Sequence, residues 1–312
     1  MGIDSGLFRE GLGIPLPGVD EHVLDIRDVT PAHLDGAFAV VNVAALATDA
    51  LGERHPDIAI SINLDGALSL ARAARDAGVS RFVQVSTVGS YDAGPEGMVD
   101  EDSPAAPSSI YRRSKVEAEI ALLDMGTDRF QVYSARLPTL FGDSANRRLD
   151  LVLNRFVTRA MAGESLVIDG SGEQWRPLGH VRDAAIGLVR MAMMDADGIP
   201  ACVVHLVREQ LALRIRDLAL LVSAEIPGTT VGFGPPPPVV LPGYRACSRF
   251  DPEWLGDMPE PVDPRAGVHE MVRDFQARPL TGVELRTGDR ARWFDEQSRL
   301  GSIGSDGRRS PD

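Results

Sequence analysis

Cysteine, long apolar runs and excess positive charge are all scarce in this sequence, and each shortage removes a class of protein. Only Cys202 and Cys247 are present, so no disulfide framework or cysteine metal cluster is available, and a reducing cytoplasm fits. The longest apolar run, Ala37–Ala47, falls short of the roughly 18 residues that a membrane-spanning helix needs. No basic segment followed by an apolar one opens the chain. Acidic residues outnumber basic ones 45 to 32, for a formal charge of −13 and a pI near 4.9. A broad nucleic-acid surface, which needs clustered Lys and Arg, is therefore not expected. The six histidines lack His-x-His or His-Glu-x-x-His spacing, so no metal site is expected. What remains is a 312-residue chain with 44% hydrophobic residues, long enough to bury a core without covalent staples. The acidic balance points to small-molecule work or protein partners, with any anionic ligand held by a few local arginines.

Short runs rich in Val, Ile and Phe alternate with helical patterns, the signature of a parallel sheet with crossover helices. Strands are predicted at Glu21–Leu24, Phe38–Val43, Arg81–Val85, Phe130–Ala135, Ser165–Ile168 and Cys202–Leu206. The spacing of Leu64, Ala67, Leu68, Ala71 and Ala74 predicts a helix over Asn63–Ala77 that stops at Gly78. Val116, Ile120 and Leu123 share a face of another over Tyr111–Leu123. Further helices are expected at Leu149–Ala162, Val181–Met193, Ile215–Ala224, Arg265–Phe275 and Asp289–Leu300. The fold class is thus α/β, a doubly wound parallel sheet with a smaller C-terminal lobe. Residues 301–312 are polar and aperiodic and read as a disordered tail.

The most informative stretch is Tyr111-Arg-Arg-Ser-Lys115, because residues four apart share a helix face. A lysine ammonium held near a phenol favours the phenolate, drawing its pKa from about 10 toward neutrality and making the tyrosine an acid/base. Upstream, Arg81-Phe-Val-Gln-Val-Ser-Thr-Val-Gly-Ser-Tyr91 reads as a buried strand running into hydroxyls. Open parallel sheets bind ligands at the carboxyl ends of their strands, where Ser86 and Thr87 fall. Arg176 and Arg245 are candidate anion contacts, since guanidinium geometry suits phosphate.

These residues lie in segments that resemble the extended short-chain dehydrogenases/reductases, the NAD-dependent epimerase/dehydratase group that acts on nucleotide sugars. Asp25-Ile-Arg-Asp28 is similar to the family's acidic turn against adenine, and Asn42-Val-Ala-Ala45 to its cofactor-lining segment. Asn63 and Gly78-Val-Ser-Arg-Phe-Val83 match the following helix start and strand approach. Arg136-Leu-Pro-Thr-Leu-Phe-Gly142 resembles Arg-Leu-x-Asn-Val-Tyr-Gly, and Trp175-Arg-Pro-Leu-Gly-His-Val-Arg-Asp183 resembles Arg-x-x-x-His-Val-x-Asp. The resemblance implies a Rossmann-like cofactor lobe over 1–143 and 180–209 and a substrate lobe over 144–179 and 210–300. It implies Thr87, Tyr111 and Lys115 as catalytic residues, and NAD as cofactor beside Asp4, Asp25, Ile26, Ala44, Ala45, Asn63, Ser86, Tyr111 and Lys115. Thr139, Arg176 and Arg245 then face the substrate, and a homodimer forms through the helices Asn63–Ala77 and Tyr111–Leu123.

One family element is missing. No Gly-x-x-Gly-x-x-Gly turn links a first strand to a helix, although such a turn holds the dinucleotide pyrophosphate. Gly11-Leu-Gly13 has no apolar strand before it and Ile-Pro-Leu-Pro after it. Asp4 instead resembles the carboxylate that ends the second strand and holds the adenosine ribose. The chain therefore resembles a family member beginning one strand-helix-strand unit late, and three expectations follow: a sheet broken between its third and fourth strands, NAD binding that is weak or absent, and impaired activity. Two other functions compete with the family reading: a cofactor-independent lyase, isomerase or cyclase, and a non-catalytic binding protein.

Overall fold

The computed structural model describes residues 1–8, 18–91, 97–194, 202–235, 243–250, 255, 258–282, 284–285 and 290–310. Its main sheet has four parallel strands in the order Cys202–His205, Gln131–Leu137, Arg81–Thr87, Ala39–Asn42. The two central strands are buried on both faces, as crossover helices require. Their alternation divides the core. Phe82 and Val132 pack with Ala118 and Leu122 of the helix Ile110–Leu123. Val83, Tyr133 and Ala135 pack with Ala184, Leu188 and Met191 of the helix Val181–Met193. All four strands run the same way, so Asn42, Thr87, Leu137 and His205 finish at one edge of the sheet.

The strand Gly2–Asp4 pairs in parallel with Glu21–Val23, and among the described residues this pair is not hydrogen-bonded to the main sheet. Ala39–Asn42 is laddered on one side only, and Phe38 and Val43 beside it are 52% and 64% exposed. Among the described residues, Glu21–Val23 and Ala39–Asn42 are therefore not hydrogen-bonded into one sheet.

A second core holds Leu153, Phe156, Leu166, Leu218, Val268 and Met271. It is formed by the helices Val152–Met161, Ile215–Glu225 and Pro264–Ala277 around the parallel pair Leu166–Asp169 and Val231–Gly234. Thr139–Phe141, paired with Leu178–His180, leads from the main sheet into it. His180 caps the helix Val181–Met193 by accepting from the Arg182 N–H at 3.2 Å.

The C-terminus departs from expectation in two ways. The helix Arg290–Arg299 contributes Ala291, Trp293 and Phe294 to the core of the first lobe, not the second. Trp293 lies 5.0 Å from Phe8 and Phe294 4.8 Å from His55, between ring centroids. Residues 301–310, read as disordered, form an ordered turn bridged between Ile303 and Arg309. Ile303 is only 4% exposed, Arg308 ion-pairs with Asp28, and Arg27 donates to the Asp306 carbonyl at 2.8 Å. One buried isoleucine and two arginine contacts hold a segment whose average composition is that of a solvated tail. Residues 311–312 lie outside the described residues.

Candidate active site

The helix Ile110–Leu123 starts at Ser109, whose hydroxyl accepts from the Arg112 N–H at 3.2 Å and donates to Asp49 at 2.6 Å. The Arg112 guanidinium joins the same carboxylate at 2.8 Å, which fixes the first turn. A Cβ at Gly52 would lie 2.8 Å from the Tyr111 nitrogen, so only glycine lets the helix Asp49–Arg54 approach this closely. Tyr111 is left half-buried at the mouth of the cleft. Lys115, the sole lysine of the chain, sits one turn deeper and is 2% exposed.

The strand Arg81–Thr87 delivers its hydroxyls to the same edge. Thr87 Oγ1 accepts from the Gly89 N–H at 3.0 Å and donates to no described residue, so its proton is available to a ligand oxygen. Ser86 Oγ is buried without a partner. A Cβ placed on Gly89 would lie 3.1 Å from Thr87 Oγ1, 3.6 Å from Arg112 Nε and 3.7 Å from Tyr244 Oη. Gly89 therefore floors a small space ringed by a hydroxyl, a guanidinium and a phenol.

The electrostatics correct one expectation. Burial pushes the Tyr111 phenol up to about 12, while Arg148 and Arg112 draw it down and Asp49 pushes it further up. Lys115 is absent from this balance. Burial also draws the Lys115 ammonium down to about 8, opposed by Glu119. The cations that favour a Tyr111 phenolate are thus arginines from the loop 147–150 and the tyrosine's own first turn, because Lys115 interacts with Glu119 on the deeper side.

Arg176 and Arg245 come together around Trp175. The Arg245 guanidinium lies 5.6 Å from the indole centroid, and a Cβ at Gly243 would lie 2.5 Å from the Trp175 nitrogen. Arg176 has its pKa lowered, first by burial and then by Arg112, against Tyr244 and Asp49. It therefore belongs to the group formed by Asp49, Arg112 and Tyr244. Thr139 is half-buried where the two lobes join, its N–H donating to the Pro177 carbonyl at 3.0 Å.

Asp4 is exposed, with one oxygen accepting from the Gly6 N–H at 2.6 Å and the other open to a hydroxyl pair. Ala44 and Ala45 form an accessible ledge after Ala39–Asn42. Three other expected cofactor contacts face elsewhere. Asn63 is 1% exposed; its carboxamide accepts from the Leu46 N–H at 2.8 Å and donates to the Leu46 carbonyl and to Ser114 Oγ. It braces the ledge and does not line it. Ile26 lies in the first-lobe core. Burial pushes the Asp25 carboxyl up, but two 2.8 Å contacts from Arg27 outweigh it and hold the group below its usual range. The glycine pair at 11 and 13 lies outside the described residues. Among the described residues, no group of three or more His, Cys, Asp or Glu could hold a metal ion.

Asp49, Arg112, Arg148 and Tyr244 were missed by sequence reasoning. Arg112 lies inside the Tyr111–Lys115 motif and could have been found there; the others come from segments without periodicity. The open Asp4 carboxylate, the Ala44–Ala45 ledge and the orphaned Ser86 hydroxyl are of the chemistry that a dinucleotide at the strand ends requires. The family model described as NAD dependent epimerase/dehydratase matches residues 17–203, more than half of the chain. The chain belongs to this family. The Low-salt glycan biosynthesis protein Agl12 of Haloferax volcanii is 30% identical over 178 residues, covering 53% of each chain. The chain therefore spans about half the length of the curated relatives it matches. Among solved structures, MoeE5 in complex with UDP-glucose and NAD superposes with a TM-score of 0.73 at 24% identity, over 86% of this chain and 89% of that one. The NAD dependent NDP-hexosamine 5,6-dehydratase TunA superposes with a TM-score of 0.77 at 20% identity, over 89% and 98%. At these identities the superpositions show the epimerase/dehydratase fold alone.

Proposed function

We propose that this member of the epimerase/dehydratase family performs acid/base chemistry on the sugar ring of a nucleotide sugar, as an epimerase or a dehydratase. The observation that carries the reading is the space over Gly89, where a proton-donating Thr87 hydroxyl, Tyr244 and Arg112, the residue after Tyr111 in its helix, converge. Bound NAD supplies the hydride acceptor for oxidation of a ring carbinol. Asp4 accepts from its adenosine ribose hydroxyls, and Ala44 and Ala45 leave room beside the strand ends. Thr87 donates to the sugar oxygen and Tyr111 moves the hydroxyl proton at its phenolic oxygen. Because burial favours the protonated phenol, Tyr111 rests as the acid, and the Arg148 and Arg112 charges favour the phenolate when it forms. Arg176 and Arg245 take the diphosphate of the sugar nucleotide, and Thr139 borders the sugar at the lobe junction.

The reading is tested by incubating the protein with NAD and either UDP-glucose or dTDP-glucose and following the sugar by NMR. An inverted ring carbon or a 4-keto-6-deoxy product is the expected result, and unchanged sugars over days would sink the proposal. Assembly belongs to the same proposal. Ile120 is 57% exposed on the outer face of Ile110–Leu123, and a homodimer through this helix would cover it. Sedimentation should give a dimer that Ile120→Glu splits; a monomeric wild-type chain would remove the dimer.

A further inference from the structure

Among the described residues four arginines are almost completely buried, and two of them, Arg136 and Arg147, are matched by carboxylates. Arg136 is paired with Glu119, and Arg147 with Asp143 and Glu284. Arg81 is held by the carbonyls of Ala192 and Met194 and by the Gln131 carboxamide. The fourth, Arg290, is 5% exposed and, where Arg81 has three neutral acceptors, it has one. Its guanidinium lies 3.9 Å over the Phe8 ring, Nη2 donates to the Asn146 carboxamide at 2.5 Å, and Nη1 is buried without a hydrogen-bond partner. No described carboxylate is within ion-pairing distance. A buried cation without a counter-charge weakens the fold, and such groups persist where a ligand supplies the missing charge.

The surroundings indicate which ligand. Asn146, which accepts from Arg290, stands two residues before Arg148, whose Nη2 reaches the Ala47 carbonyl at 3.4 Å beside the Ala44–Ala45 ledge; the Arg148 charge adds to burial in drawing the Arg290 guanidinium down to about 10, against the carboxylates of Asp150 and Asp4. Asp150 already grips Arg148 at 2.8 and 3.0 Å, which fixes the orientation of that guanidinium. Arg148 also acts on the Tyr111 phenol. Arg290, over the Phe8 ring four residues after Asp4, and Arg148, at the Ala47 carbonyl, thus link the segment of the ribose carboxylate of the family resemblance to the strand-end ledge. In an extended dinucleotide the group between the adenosine ribose and the reacting end is the diphosphate.

We propose that Arg290 and Arg148 form a diphosphate seat between Asp4 and Tyr111, and that it holds the dinucleotide. The proposal rests on the cofactor reading above and extends it.

The test is calorimetric titration of the full chain, Arg290→Gln and Arg299→Gln with inorganic pyrophosphate, ADP-ribose and UDP. Arg299 is exposed on the same helix and serves as the control. Pyrophosphate and ADP-ribose should bind wild type and Arg299→Gln alike and lose roughly 10- to 100-fold in Arg290→Gln, the worth of one or two charge-assisted contacts. UDP should change by less than about threefold, within the spread of such contacts. No binding of pyrophosphate to wild type, or equal affinities in Arg290→Gln, would overturn the seat. A loss for UDP as large as that for ADP-ribose would overturn its assignment to the dinucleotide and give it to the sugar nucleotide. Arg290→Met separates a ligand seat from a structural arginine: without ligand its melting temperature should equal or exceed that of wild type, and a fall of more than about 5 °C would make Arg290 structural and overturn the proposal. Failure of the sugar chemistry alone would look different, because the Arg290-dependent binding would persist without turnover.

Discussion

Arg136 and Arg290 are equally buried, 5% exposed each, and they mark two regions with opposite electrostatics. Behind the strand ends, Arg136 Nε and Nη2 bind both oxygens of Glu119, which also accepts from Ser134 at 2.5 Å. Its Nη1 donates to the Tyr91 hydroxyl, which reaches His205 Nε2 at 2.6 Å and the Asp100 carbonyl at 2.8 Å. His205 Nδ1 lies 2.8 Å from the Cys247 carbonyl, an acceptor only, so Nδ1 donates there, and Nε2 and the Asp100 carbonyl compete for the one Tyr91 hydroxyl proton. The ion pair of this region is complete, and the network ties the helix Ile110–Leu123 to two strands and to the 245–249 segment. In the other region, Arg290 has one carboxamide, and Arg148 has the Asp150 carboxylate and the Ala47 carbonyl. A complete network locks a fold, whereas an incomplete one in the same protein marks the place where something else binds.

The largest effect that separates the regions is on rate. Tyr111→Phe in the open region should lower kcat by ~10²–10⁴, the range for a lost acid/base group, with little change in melting temperature. Steady-state kinetics showing full kcat would remove Tyr111 from the chemistry. In the closed region the obvious counterpart is Tyr91→Phe, which strips one hydroxyl from Arg136, His205 and the Asp100 carbonyl together. It should cost about 1–3 kcal/mol, the penalty for buried groups left unsatisfied. Urea unfolding with an unchanged midpoint would show that the network is not closed.

A smaller effect lies between the regions, at Lys115. Its folded pKa of about 8 is below the free value of 10.5. Below pH 8 the ammonium is charged in both states and the folded chain bears its desolvation. Between pH 8 and 10.5 the unfolded chain holds more protons, so this residue's contribution to stability rises with pH. The difference in urea midpoint between Lys115→Met and wild type should therefore narrow from pH 7.5 to pH 10. A difference that is constant or grows would contradict the depressed pKa.

The same contrast explains what could be read from the sequence. The strand and helix order and the fold were legible because periodicity, strand-end hydroxyls and helix caps are local. Arg136 sat in a recognisable segment, but its closed network needs residues 91, 119, 134 and 205, which only the sheet brings together. Asn63 matched a motif, yet its carboxamide braces Leu46 and Ser114. Residues 301–310 were misread because composition averages over Ile303, the residue that anchors them. Lys115 was paired with Tyr111 by helix spacing, but the spacing does not reveal that Glu119 competes for the ammonium from the next turn. Arg290 was invisible because a charge without a carboxylate partner is a property of three-dimensional surroundings, and Arg148 because its neighbours come from distant segments.

The measurement that tests the contrast most directly is the melting temperature of ligand-free Arg136→Met beside that of ligand-free Arg290→Met. Removing Arg136 leaves Glu119 charged and buried, which costs about 3–5 kcal/mol and should lower the melting temperature by roughly 6–20 °C at this chain length. Removing Arg290 takes away an unmatched charge and should leave the melting temperature unchanged or raised. Similar losses in both variants would contradict the division into a locked region and an open one.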